Sequence, residues 1–567
     1  MQRLIEAYFI KLQCLPGILL GCVIAFLSAC GGGGGGNAST DFVLSSSSSI
    51  QALSSSSASS VAEKVNLSGT LTYDYVPHNE NHIGLNYFAT EQRPIRGAVV
   101  ELIDSIGQVK ATTNSTADGT FSVAVQKNIT VKVRVKAQFL GTSPFSWNFK
   151  VTDNTSNNAL YVLDGALAST GNSDSTRTLN ANSGWDGSSY TTTRSAAPFA
   201  ILDDIYTGLN RIIAAGNTRN LNPLELHWST KNTAADGDYA KGEIGTSFFD
   251  SLNTTIYILG DANSDTDEYD PHVLLHEWGH YIESELFRSD SLGGDHSDGE
   301  FLDIRVAMSE GFANAFSGMM TNDNNYMDAS KANQADGFTF NIARKTRPYV
   351  GYFSEGSIGS IFYNFYTSST NKTANDFTPI FKVLSNVSYY TNDAFTSIYL
   401  FHAQMKTIFP EYSALLESLM QEQYMLGSDE YGAGESNNGG LAIELPIYKK
   451  INADNSTINV CSDAEYGEQN KLGNSQFIRL AITQAGSYKI SLVKLGGDKV
   501  ISKPEFVLYH KGAQVIYASN SVNDSVSNTV DLQSGNYLIE AYDYNNYDNK
   551  NTDAKNVTCF DVRVVAN

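Results

Sequence analysis

The chain has 567 residues, 41% hydrophobic and 11% aromatic, enough apolar surface to fill several cores, and this excludes wholesale disorder. Lys and Arg number 38 against 60 Asp and Glu, and the resulting net charge of −22 repels phosphate backbones, so no nucleic-acid partner is expected. At roughly 100–200 residues per domain, a chain of this length predicts three or four domains.

Residues 1–30 read as a targeting segment. Arg3 and Lys11 supply a positive start, and the apolar run 15–27, interrupted by Gly17 and Gly21, is too short to cross ~30 Å of hydrocarbon. The run ends in Leu27-Ser28-Ala29-Cys30, which resembles the bacterial lipoprotein signal. That resemblance implies diacylation of Cys30, a lipid anchor in a bacterial membrane and, because Gly31 rather than Asp follows, sorting to the outer membrane or cell surface. An ordinary secretory signal with a chance cysteine is the alternative. Residues 31–64 begin with six glycines and continue through a serine-dominated stretch, the composition of a flexible tether. Cys14 and Cys22 would leave with the signal. Cys461 and Cys559 then remain as a disulfide pair in an oxidising compartment, with two free buried thiols as the alternative.

Between 65 and 165 short alternating runs (67–75, 97–103, 108–113, 120–125 and 130–137) predict strands, with Asp118-Gly119 as a hairpin signal. The stretch from Arg93-Pro94-Ile95-Arg96-Gly97 to Asp118-Gly119-Thr120-Phe121 resembles the carboxypeptidase-regulatory-like β-sandwich, a spacer or adhesion module. The texture changes near Ser195. Residues 198–215 place apolar side chains at helical spacing and stop at Gly216, 224–228 and 255–259 read as strands, and helical patterns recur to Leu426. Residues 166–446 therefore read as one mostly α domain with an edge sheet. Strands return at 477–482, 486–494, 505–510, 513–519 and 537–542. The run from Val530 to Tyr542 resembles the pre-peptidase C-terminal domain, a jelly-roll-like sandwich appended to secreted proteases, and assigns 447–567 to it. The expected fold is thus an N-terminal β-sandwich, a central mostly α zincin-like domain and a C-terminal β-sandwich.

The strongest chemical signal is His276-Glu277-Trp278-Gly279-His280, an H-E-x-x-H. Residues four apart share a helix face, so both imidazoles can reach one metal ion, and Glu277 beside that face can take a proton from metal-bound water. Asp270-Pro271 predicts an N-cap followed by Pro at the first helical position, while Val273, Leu274, Leu275, Trp278, Tyr281, Ile282, Leu286 and Phe287 bury the other faces. Gly279 costs ~1 kcal/mol against Ala inside a helix and allows close approach of a neighbour. A catalytic zinc needs a third protein ligand. Glu310, the single acid in the apolar run Ala307–Phe316, is the expected one, because a buried carboxylate without a partner is costly. Asn314, one turn on, is placed to accept a hydrogen bond from a ligand imidazole. Asp295, His296, Asp298, Glu300 and Asp303, in a Gly-rich stretch, are rival third ligands. His78, His82, His227, His402 and His510, like His296, lack ligand spacing and read as ordinary.

This region, about 261–366, resembles the gluzincin metallopeptidases, with fungalysin and thermolysin the nearest well-known relatives. Glu310-Gly311-Phe312 is similar to the fungalysin E-G-W block, and 344–349 and 357–366 are similar to its downstream segment. Where that segment carries a histidine that stabilises the transition state, Tyr352 stands here and could donate to an oxyanion, the alternative being that it merely packs and another donor serves. The resemblance implies a zinc metalloendopeptidase: His276, His280 and Glu310 as ligands, Glu277 as general base, and a protein or peptide substrate. Asp261, Asn263, Asp265, Asp267, Glu268 and Asp270 resemble the start of a calcium loop, although Thr266 replaces its Gly and His272 its final Glu. Calcium or a solvated acidic cluster fits equally. A monomer is expected, and the competing function is a cell-surface binding or adhesion lipoprotein whose zincin domain is degenerate or merely structural.

Overall fold

The computed structural model describes residues 63–368, 375–495, 502–519, 524–548 and 557–567. The expected signal segment, the lipidation site Cys30 and nearly all of the tether lie outside these residues. The alternating apolar positions Val131, Val133, Val135, Ala137 and Phe139 turn one face of strand β1 (Thr130–Gly141) inward, as the two-residue period of a strand requires. β1 pairs antiparallel with β2 (Trp147–Asp153). Helix α1 (Ala197–Ala214) lays its apolar stripe on this sheet and stops before Gly216, whose φ of 88° is left-handed.

β2 then pairs in parallel with β3 (Leu224–Trp228), Phe149 standing opposite Leu224. Beyond β3 the same sheet is completed by β4 (Phe248–Asp250) at its edge and β5 (Thr255–Ile258) between them. Strands from before and after residue 165 thus form one ten-stranded sheet. Next come β6 (Asp265–Thr266) and helix α2 (Pro271–Leu286), which carries the H-E-x-x-H. Helix α3 (Ile304–Thr321), buried nearly all round, follows with Glu310. The hairpin of β7 (Asn325–Ser330) and β8 (Asp336–Asn341) pairs with β6 in a four-stranded sheet, and α4 (Glu355–Thr367) packs on α3.

The expected mostly α central zincin-like domain is corrected by this arrangement. Strands hold 36% of the residues and helices 25%, and no separate helical domain is evident among the described residues. Two physical causes account for the difference. The strands β4 and β6 are three and two residues long and give no readable alternation. The parallel β2–β3 pairing joins segments more than seventy residues apart through a crossover that local pattern does not reveal.

The C-terminal segment forms two sheets, one of five strands and one of four, that share an apolar cluster including Ile451, Val460, Ile478, Phe506, Ile539 and Phe560. Cys461 and Cys559 stand opposite each other in the four-stranded sheet and are disulfide-bonded, closing a loop with a sequence separation of 98. That bond restricts the unfolded chain and so favours the folded one. A second, larger cluster runs from Val65 through Trp278 and Phe316 to Phe477 and Leu538, so the C-terminal sheets continue the packing that supports α2 and α3.

Where these parts meet, Glu444 is buried beside Lys449, Asp463 and Asp303, with Gln476 donating to it at 3.3 Å. Burial, offset in part by Lys449, pushes its carboxyl up to about 8. The folded protein holds that proton more tightly than the unfolded chain. This group therefore stabilises the fold below about pH 4.5 and loses that contribution as pH climbs through about 8. Glu444→Gln is expected to flatten the decline in stability between pH 5 and 9. At the alkaline end the variant should be more stable than the wild type by on the order of 2 kcal/mol, read from urea unfolding at each pH. Parallel pH curves for the two proteins would contradict the assignment.

Candidate metal centre

α2 begins with Asp270 at its N-cap position and Pro271 at N1, yet Asp270 makes no cap bond. Its Oδ2 accepts from Ala329 N–H at 3.2 Å, and its Oδ1 lies 2.6 Å from His78 Nε2. His78, which has no ligand spacing in the sequence, thus serves to fix the start of the helix. Two glycines set how closely the helices approach. A Cβ at Gly279 would stand 3.1 Å from Phe316 Cδ1, which brings α2 against α3. A Cβ at Gly311 would stand 2.5 Å from the Glu355 carbonyl oxygen, so only glycine lets α4 cross beside Glu310.

This packing brings three donor atoms to one point. His276 Nε2 and His280 Nε2 are 3.1 Å apart, and Glu310 Oε2 lies 3.3 Å from the first and 3.1 Å from the second. The outer nitrogens are held from behind. His276 Nδ1 faces the Asn314 amide oxygen at 3.0 Å, and His280 Nδ1 faces Glu283 Oε2 at 3.2 Å, itself held by the Ser309 hydroxyl at 2.6 Å. With each Nδ1–H donated outward, the two Nε2 lone pairs converge, an arrangement that repels unless a proton or cation lies between them. Four donors about 2.0–2.1 Å from a tetrahedral zinc stand roughly 3.3 Å from one another, and this donor set has that spacing and the N, N, O chemistry. The residues fit a zinc ion.

His296, one of the rival third ligands, joins them. Its Nε2 lies 3.1 Å from Glu310 Oε2 and its Nδ1 lies 2.7 Å from Glu355 Oε2. The side chain remains 27% exposed. Burial works against charge on both His280 and His296, but the carboxylate of Glu310 outweighs it: His280 is held well above the ordinary imidazole value and His296 is raised to about 9. Glu310 is correspondingly held well below the usual carboxylate range, against its own burial. Without a metal, this is a cluster of imidazolium and carboxylate.

Glu277 lies beside the cluster and accepts from the backbone N–H of Phe249, at the sheet edge, at 2.8 Å. Tyr352 lies elsewhere. It is buried against Phe353 and Tyr399 and lines a small cavity with Asp303, Ile304 and Glu444. Among the rival ligands, Asp298 is paired with Arg347, Glu300 with Lys471, and Asp303 with Arg305. The acidic stretch 261–270 does not wrap as one loop. Asp261 and Asp265 face each other across a hairpin, and Glu268 is paired with Arg194. Glu283 was readable as a neighbour of His280 three residues along the helix. His296 was offered only as a rival third ligand without ligand spacing, because only the folded path of its Gly-rich segment brings it to Glu310.

No protein-family model matches the chain, and no curated protein matches it. Among solved structures, the pre-peptidase C-terminal domain of a collagenase from Bacillus anthracis is 15% identical, with 21% of this chain and 93% of that one covered and a TM-score of 0.16. PliG, a periplasmic inhibitor of g-type lysozyme from Aeromonas hydrophila, is 11% identical over 21% of this chain and 97% of its own, with a TM-score of 0.14. The first is the kind of module that 447–567 resembles in sequence. At such TM-scores neither likeness carries an argument about fold or activity.

Proposed function

We propose that this protein is an exported zinc-dependent peptidase. The observation that supports the reading is the convergence of His276 Nε2, His280 Nε2 and Glu310 Oε2 to within 3.1–3.3 Å, with Glu277 alongside. Zinc bound there would lower the pKa of a water towards ~7 and polarise a carbonyl. Glu277 would accept the proton of the attacking water and pass it to the leaving amine, its carboxylate oriented by the Phe249 N–H. Asn314 and Glu283 would hold the two imidazoles in the tautomer that leaves Nε2 free to bind the metal. His296, anchored by Glu355, stands as close to Glu310 as His280 does.

A second reading rests on the same residue. If His296 ligates, four protein donors close the ion off, as in structural sites, and the chain would be a surface binding lipoprotein. X-ray absorption on the zinc-loaded protein separates the two. Two imidazoles in the zinc shell are expected for the peptidase, and three would contradict it. Lipidation of Cys30 belongs to the proposal as well. Cys30→Ser is expected to move the protein from the membrane to the soluble fraction, and retention through a carbonate wash would refute the anchor.

A further inference from the structure

A second cluster lies beyond the N-terminal end of α2, built from Asp265 on β6, Asp267 two residues later and Asp328 on β7. One carboxylate oxygen from each lies within 4.8 Å of the other two. Asp267 is 2% exposed. One of its oxygens is taken by the Ser247 hydroxyl, and the other, Oδ1, is buried with no hydrogen-bond donor. Asp265 Oδ1 is likewise buried and without a donor. Among the described residues, none of the three carboxylates forms an ion pair with Lys, Arg or His. The neighbouring acids are already committed, Asp270 to His78 and the Ala329 N–H, and Glu268 to Arg194.

A buried carboxylate oxygen with no donor is costly, and three carboxylates converging without a counter-charge are more so. Either protons or a cation must relieve them. The donor set contains only oxygen, which suits a hard cation rather than zinc. With calcium–oxygen distances of about 2.3–2.6 Å, oxygens on opposite sides of one ion stand up to about 5 Å apart, and this cluster lies within that span.

We propose that Asp265, Asp267 and Asp328 bind a calcium ion that ties β6 and β7 to the segment leading into α2. This differs from the calcium loop suggested by the sequence, because it omits Asp261 and Asn263 and draws a ligand from β7. It does not depend on the zinc centre being catalytic. Burial pushes all three carboxyls upward, Asp265 to about 6, and their mutual repulsion adds to this for Asp267; a cation would reverse both effects.

The test uses the mature chain, loaded with zinc beforehand so that the imidazole site is filled. Calcium chloride is titrated against the melting temperature, and terbium luminescence is followed as a direct probe of binding. Saturable binding of one ion is expected, with the melting temperature rising by at least about 3 °C. Asp328→Asn, at a partly exposed position, is expected to weaken binding by about tenfold or more, and Asp267→Asn to do the same. Asp336→Asn, at an exposed residue paired with Lys331, should leave binding unchanged. The proposal is overturned if calcium and terbium show no saturable binding, or if both Asp variants bind as tightly as the wild type. It is equally overturned if those variants are more stable than a wild type that ignores calcium, since shared protons would then be relieving the cluster.

Discussion

Glu277→Gln is expected to retain one zinc per chain while hydrolysis of an unfolded protein substrate falls by about 10²–10⁴-fold. The amide keeps the shape of the side chain, and its oxygen can still accept from the Phe249 N–H, so the local fold has no reason to change. The donors proposed to hold the ion, His276, His280 and Glu310, are untouched. What the amide cannot do is take a proton. The loss should therefore fall on kcat, with KM nearly constant, because the missing interaction belongs to the transition state. Metal content, kcat and KM measured on one preparation decide the matter. Hydrolysis within about threefold of the wild type would remove Glu277 from the chemistry.

The largest expected effect on stability lies at the foot of α3, the helix that carries Glu310. Arg305 is 1% exposed and donates to both Asp303 oxygens at 2.9 Å and to Glu540 at 2.6 and 3.1 Å, its guanidinium lying over the rings of Phe395 and Phe477. Asp303 also accepts from the Arg305 N–H as the N-cap of α3, while Glu540 belongs to the C-terminal sheets. Arg305→Leu would leave two buried carboxylates without their cation, and removing one partner of a buried ion pair costs about 3–5 kcal/mol. Urea unfolding is expected to show that loss. Because α3 carries Glu310, zinc affinity should drop as well. A change below about 1 kcal/mol would mean that water reaches and solvates the two carboxylates.

Much of the candidate site was legible because its residues sit at fixed spacings on helices. His276 and His280 share a face by periodicity, and Asn314 follows Glu310 by one turn. The parts that periodicity could not place depend on chain crossings. His296 reaches Glu310 only through the folded path of 287–303, and Glu355 holds it only because Gly311 lets α4 pass. Tyr352 is the reverse case, with two readings left open by the sequence. Its place in a familiar segment suggested a donor, whereas its surroundings, Phe353 and Tyr399, make it a core residue. The fold was misjudged for a related reason. Strong helical patterns such as that of α1 dominate a reading by periodicity, while β4, with three residues, leaves no trace although its edge orients Glu277.

The most direct measurement is proteolysis by the mature chain carrying a measured equivalent of zinc. An unfolded protein substrate is incubated with it between pH 5 and 9, and new N-termini are counted by mass spectrometry. New termini that require zinc, vanish with a chelator and return when zinc is restored are the expected result. Complete zinc occupancy with no new terminus at any pH would contradict the peptidase reading and leave the site a structural one.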